Sequence, residues 1–119
     1  FDSLPDLFHS LCLEPRERAA ADYLRGMGAS GLGVEAAART AAVLSTGAEG
    51  AIPLKEGYAA AMAAQNTSYA CVEKNIRSMV GKLQAGACGE YQALMGGLPA
   101  ERPSNELFLR RLARRILEW

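Results

Sequence analysis

A chain of 119 residues has room for one domain with a real core and not for two large ones. Thirteen basic residues balance thirteen acidic ones, which argues against a protein that coats nucleic acid without discrimination. No apolar run approaches the roughly 20 residues that cross a bilayer, and the start lacks the basic-then-apolar order of a signal peptide, so a cytoplasmic protein is expected, with no membrane partner. Three cysteines, Cys12, Cys71 and Cys88, lack CxxC spacing and suggest neither a disulfide framework nor a zinc site. The charge is unevenly placed. Residues 1–60 carry five cations against eight acids, and residues 61–119 carry eight against five.

Apolar residues recur three and four apart and almost never alternate, so the fold class is all-α, with about six helices. Alanine runs such as AAADYL and GYAAAMAA favour helices packed closely through small side chains. The chain starts at Phe1 without an initiator methionine, which is expected of a fragment of something longer. Residues 1–14 read as a loose N-terminal segment or linker, and residues 15–119 as the folded domain. The first helix opens with Pro15 in a first-turn position and closes at Gly28, with Ala20, Tyr23, Leu24 and Met27 on one side. A second helix runs from about Val34 to Leu44, and STGAEGA breaks the chain before Pro53. The third spans Pro53 to Gln65.

Asn66, Thr67 and Ser68 are residues whose short side chains cap helix starts, and after them Val72, Ile76, Met79, Val80 and Leu83 mark one buried stripe of a fourth helix. Gly81 costs about 1 kcal/mol relative to alanine and suggests that this helix is near its end. A short fifth helix, GEYQALMG, offers Tyr91, Leu94 and Met95 to the core. Ser104 is a sound N-cap for a last helix to Trp119, whose apolar face is Leu109, Leu112, Ala113, Ile116 and Leu117.

The third and fourth helices, joined by a short polar turn, have the layout of a helix-turn-helix. Such a module must bury one stripe of its second helix while residues near that helix's N-terminal end stay free to meet base edges in a major groove about 12 Å wide. Ser68, Tyr69, Cys71, Glu73, Lys74, Arg77 and Ser78 are the candidate DNA-binding residues. Lysine donates to guanine O6 or N7, glutamate accepts from cytosine N4, and an arginine one turn later holds a phosphate. Glu73 and Arg77 are also four apart, a spacing that equally suits an ordinary ion pair on a helix surface.

The run NTSYACVEKNIRSMV resembles the recognition-helix signature N-T-T-x-S-R-V-E-R-A-I-R-H of the C-terminal effector domain of the stage-zero sporulation transcription factor, the master sporulation response regulator of endospore-forming Firmicutes. Asn66, Thr67, Val72, Glu73, Ile76 and Arg77 match, with Ser68 and Lys74 as close replacements. The glycine-containing loop GASGLG resembles the one between that family's first two helices, and Pro103, Ser104, Asn105 and Phe108 resemble its closing P-[TS]-N-x-x-F motif. Coverage runs from about Pro15 to Leu117, more loosely in the second helix and before the third.

The resemblance implies a six-helix effector domain that binds promoter DNA with its fourth helix in the major groove, preceded by a receiver domain whose phosphorylation promotes pairing. Its partners would be double-stranded promoter DNA, a second copy on that DNA, the receiver domain and RNA polymerase. In the family, the positions of Cys71, Glu73 and Lys74 read bases and that of Arg77 carries a neighbouring cation. Cys71 and Ser78 stand where the family has arginine and histidine. Losing a forked guanidinium removes a donor pair worth roughly 1 to 3 kcal/mol of base discrimination, so the resemblance does not by itself carry the family's DNA box over to this chain.

RRLARR sets Arg110 and Arg114, and Arg111 and Arg115, one turn apart beside the last helix's apolar stripe. This is either a solvated face or a second surface for phosphates or a subunit contact. Catalytic chemistry finds no support. His9 is the only histidine, GMGASGLG follows a helix and lacks GK[ST], and Asp2, Asp6, Glu14 and Glu17 show no metal-cage or acid-base spacing. No cofactor and no metal are expected. Two readings remain: a sequence-specific DNA-binding domain of a bacterial transcription factor, and a helical interaction or dimerisation module that has lost DNA binding.

Overall fold

The computed structural model describes residues 3–48 and 50–119, with side chains from Glu14 onward, Glu49 excepted. Phe1, Asp2 and the side chains of Asp6, His9 and Cys12 lie outside that description. Six helices follow one another: α1 (Ser3–Gly26), α2 (Leu32–Leu44), α3 (Leu54–Gln65), α4 (Tyr69–Gly86), α5 (Gly89–Met95) and α6 (Asn105–Leu117). Among the described residues there is no strand, and no helix is long and apolar enough to cross a membrane.

Helix α1 begins earlier than its sequence indicated. Pro15 lies inside it and not in its first turn. Proline lacks the amide that would reach back four residues, yet the helix continues on both sides of that missing bond. From Arg16 onward α1 is tied to its neighbour: Ala20, Ala21 and Leu24 are buried, Arg16 donates to the backbone oxygen and hydroxyl of Ser45 at 3.3 and 3.2 Å, and Glu17 pairs with Arg39 at 3.2 Å.

Helix α2 is the axis of the fold. Val34, Ala36, Ala37, Ala38, Ala41, Ala42 and Leu44 are buried, and α1, α3, α4 and α6 all touch it. An amphipathic surface helix buries only a stripe, so burial nearly all round is possible here because most of the buried side chains are the methyl groups of alanine. Two glycines make the closest approaches. A Cβ on Gly33 would stand 2.5 Å from the Asn75 carbonyl oxygen of α4, and one on Gly57 of α3 would stand 2.6 Å from Cγ2 of Thr40. Thr40 also donates its hydroxyl to the Gly57 carbonyl at 3.3 Å.

The connection between α3 and α4 divides the three polar residues by role. Asn66 ends α3 in the left-handed conformation (φ 50°), which asparagine tolerates better than most residues. The Thr67 amide closes the same turn on the Met62 carbonyl at 3.1 Å. Only Ser68 caps α4, accepting from the Cys71 amide at 3.2 Å. Gly81 is interior to α4, which runs on to Gly86. The helix tolerates it because Val80 and Leu83 on either side are buried and supply the packing that helix propensity alone does not.

At the other end, Pro103 is buried, Ser104 caps α6 by accepting from Leu107 at 3.1 Å, and Phe108 is fully buried. Asn105 donates to the Tyr58 hydroxyl of α3 at 3.2 Å and to the Glu73 carbonyl of α4 at 3.1 Å, so one side chain ties three helices together. Leu117 is half exposed rather than part of the apolar face; Phe108 takes that place. Trp119 packs edge-on against Tyr23 with ring centroids 5.2 Å apart, returning the end of the chain to α1.

Substituting Gly33→Ala drives a methyl group into the α4 backbone, and overpacking of this kind costs about 1–3 kcal/mol. Its thermal midpoint should fall by at least about 4 °C, whereas Gly86→Ala, which meets nothing within 4 Å, should melt at the parent temperature or above. Equal midpoints for the two variants would show that α2 and α4 are not held this closely.

Candidate nucleic-acid interface

Helix α4 is anchored on one side only. Val72, Ile76 and Val80 are fully buried and Met79 and Leu83 nearly so; each such side chain contributes about 1.5–3 kcal/mol on leaving water. At about 100° per residue, the side opposite this stripe is a strip of Ala70, Cys71, Lys74, Ser78, Gly81 and Ala85. All of these are exposed except Gly81, which is half-buried. The strip carries no acid. Lys74 is its only charge and has no ion-pair partner among the described residues.

The flanks of α4 differ from one another. On the side facing α6, Glu73 is half-buried and pairs with Arg77 at 2.9 Å, the surface ion pair that the spacing allows. The Glu73 carboxylate is therefore already engaged, and its backbone oxygen is held by Asn105. On the other side, Asn75, Ser78, Met79 and Lys82 line a groove of about 350 Å³ with Gly28, Ala29 and Ser30 of the α1–α2 connection and Leu32 of α2. Ser78 thus stands at the border between strip and groove.

Near the start of α4, the Ser68 hydroxyl is occupied as the cap, and Tyr69, 47% exposed, leans edge-on against the buried Tyr58 with centroids 5.1 Å apart. Cys71 is exposed and free. Hydrogen bonds from the Ser68 side chain, then that of Thr67, and the nearby Lys74 charge hold its thiol below its ordinary value. A helix N-terminus favours an anion in the same direction.

The four arginines of α6 do not join this surface. Arg110 is turned inward, donating to the Ile52 carbonyl at 2.9 Å and to Glu106 at 3.1 Å. Arg115 pairs with Glu118 at 3.3 Å and lies over the Tyr23 ring at 6.0 Å. Arg111 and Arg114 line a shallow cleft of about 210 Å³ with Arg115, Ala93, Leu94 and Glu118, and no residue of α4 borders it.

No family model, no curated protein and no solved structure matches this chain. What the site can do therefore rests on its own geometry. Among the described residues no group of three histidines, cysteines, aspartates or glutamates is placed to hold a metal ion.

Two further cations stand beside the strip, and the one outside α4 has no periodic signature in the sequence. Lys82 is exposed at the far end of the groove. Arg102, in the loop between α5 and α6, is exposed with its Cδ 3.5 Å from the position of a Cβ on Gly81. Nothing in the helical period relates Arg102 to α4; only the fold brings it there. The glycine that interrupts α4's propensity was the available signal.

The depressed Cys71 pKa has a pH consequence. Its thiolate appears at lower pH than that of an ordinary cysteine, so the pH–rate profile for iodoacetamide alkylation of Cys71 should have its midpoint below the usual thiol value. Because the Ser68 hydroxyl is the largest cause, Ser68→Ala should move that midpoint upward, as followed by mass spectrometry of the Cys71 peptide. A midpoint unaffected by the substitution would contradict the assignment.

Proposed function

We propose that this chain is the sequence-specific DNA-binding effector domain of a bacterial response-regulator-type transcription factor resembling the sporulation master regulator. In this reading α3 and α4 form a helix-turn-helix, and α4 enters the major groove. The observation that carries it is a helix fixed along one stripe by five buried side chains while its opposite strip stands open, free of acids, with Lys74 unpaired among the described residues. A groove-reading helix needs both properties: rigidity to hold register, and a surface that a polyanion can approach.

The roles divide as follows. Lys74 is the base-edge donor, and Cys71 and Ser78, being small, allow close approach without replacing the bidentate donors that arginine or histidine would supply. Arg77, braced by Glu73, is the neighbouring cation for a phosphate. Tyr69 and Ser68 fix the start of the helix. Arg111 and Arg114 serve a separate surface, on phosphate or on another subunit. A cytoplasmic setting, a second copy on the DNA, an upstream receiver domain and RNA polymerase are the partners that this reading implies.

A second reading is favoured by one specific feature: Ala70, Cys71, Ser78, Gly81 and Ala85 make the α4 strip a smooth surface on which another helix could pack. In that case the domain is a protein-interaction or dimerisation module without DNA binding. Fluorescence anisotropy against a pool of random-sequence duplexes at two salt concentrations separates the two. DNA binding predicts log affinity falling with log salt by roughly 0.9 per phosphate contact. Lys74→Ala should weaken binding to the preferred sequence by about 1–3 kcal/mol and relax the preference at one base pair. No binding even at low salt would leave the interaction module.

A further inference from the structure

We infer that Arg102 is a DNA-backbone contact supplied to α4 from outside the helix, its stem lying across the notch at Gly81 so that its guanidinium meets a phosphate at the edge of the groove. This rests on the DNA-binding reading and adds a residue that the recognition-helix pattern does not contain.

The placement is built rather than incidental. The loop from Leu98 to Ser104 is pinned to α4 on both sides of Arg102. Before it, Gln84 of α4 donates to the Pro99 carbonyl at 2.6 Å, and Gln84 is itself held by the Tyr91 hydroxyl at 2.6 Å. After it, Pro103 is buried, Ser104 caps α6, and Asn105 donates to the Glu73 carbonyl of α4. Arg102 stands between these anchors with its side chain against Gly81, the one residue of the α4 strip without a Cβ. A bulky residue there would occupy the ground over which the stem lies.

Charge and spacing fit a phosphate. Arg102 makes no ion pair and no hydrogen bond among the described residues, unlike Arg77, Arg110 and Arg115, each of which holds a carboxylate. Gly81 lies seven residues beyond Lys74 on the same strip, roughly 10 Å along the helix axis. A major groove is about 12 Å wide, so a helix whose Lys74 reaches base edges carries Arg102 out to the flanking sugar–phosphate strand. Arginine suits the task, since its planar fork matches phosphate geometry and keeps its charge at any working pH.

The test uses the whole 119-residue chain, duplexes selected by the parent protein from a random-sequence pool, and three variants. Arg102→Met keeps the apolar stem over Gly81 and removes the charge; its thermal midpoint should match the parent, while affinity at about 0.1 M salt falls roughly fivefold to tenfold and the salt slope becomes shallower by about 0.9. Sequence preference should not change, because a phosphate contact carries no base information. Arg102→Lys should restore most of the slope. Gly81→Leu should reproduce the loss by lifting the stem away. If the parent binds no duplex, both the DNA-binding reading and this contact fall. If the parent binds while Arg102→Met keeps its affinity and slope, the contact alone is refuted and Arg102 only covers Gly81.

Discussion

A carbonyl oxygen of α4 lies so near α2 that a single methyl group at Gly33 would collide with it, and the rest of the molecule is arranged around that proximity. Helices usually pack about 8–10 Å apart with the side chains at the contact setting the distance. Here α2 presents glycine and alanine, and Gly57 lets α3 press equally hard against Thr40. Small residues give up hydrophobic area per contact but bring backbones together, so a chain of 119 residues surrounds one buried helix with four others.

That arrangement determines what α4 can present. Its inner stripe is pressed on α2, and its first turn is fixed by the Ser68 cap and by Asn105, which reaches from α6 to both Tyr58 and the Glu73 carbonyl. The outer strip therefore has a defined orientation without needing side chains of its own for support. The polar residues that line it are small or cationic because nothing inside the protein requires them to be otherwise. The Glu73–Arg77 pair is exposed enough that its own stabilisation is on the order of 0.3–0.5 kcal/mol; its larger effect is to hold the guanidinium beside the strip.

The helices were legible in the sequence because period and caps agree. The stripe from Val72 to Leu83, the Ser68 and Ser104 caps and the burial of Tyr91, Leu94 and Met95 all follow from local pattern. Where sequence and structure part, long-range packing overrides a local preference. Pro15 and Gly81 are helix breakers by propensity, yet both lie inside helices: Gly81 between the buried Val80 and Leu83, and Pro15 next to Arg16, which α2's end holds through Ser45. Of the three residues read as caps, Asn66 instead closes the preceding helix, a choice between two adjacent chain ends that spacing cannot make. Arg110 looked like one of four equivalent cations until the fold gave it the Ile52 carbonyl. The approach of Arg102 to α4 spans 21 residues of sequence and had no periodic signature.

We propose that the open strip of α4 is the surface that meets a duplex. Amide chemical-shift mapping during titration of the isotope-labelled chain with a selected duplex reads this residue by residue. The largest changes should gather between Tyr69 and Ser78 and at Arg102, while the buried amides of α2 stay nearly still. Changes confined to the Arg111 and Arg114 cleft, with α4 silent, would contradict it.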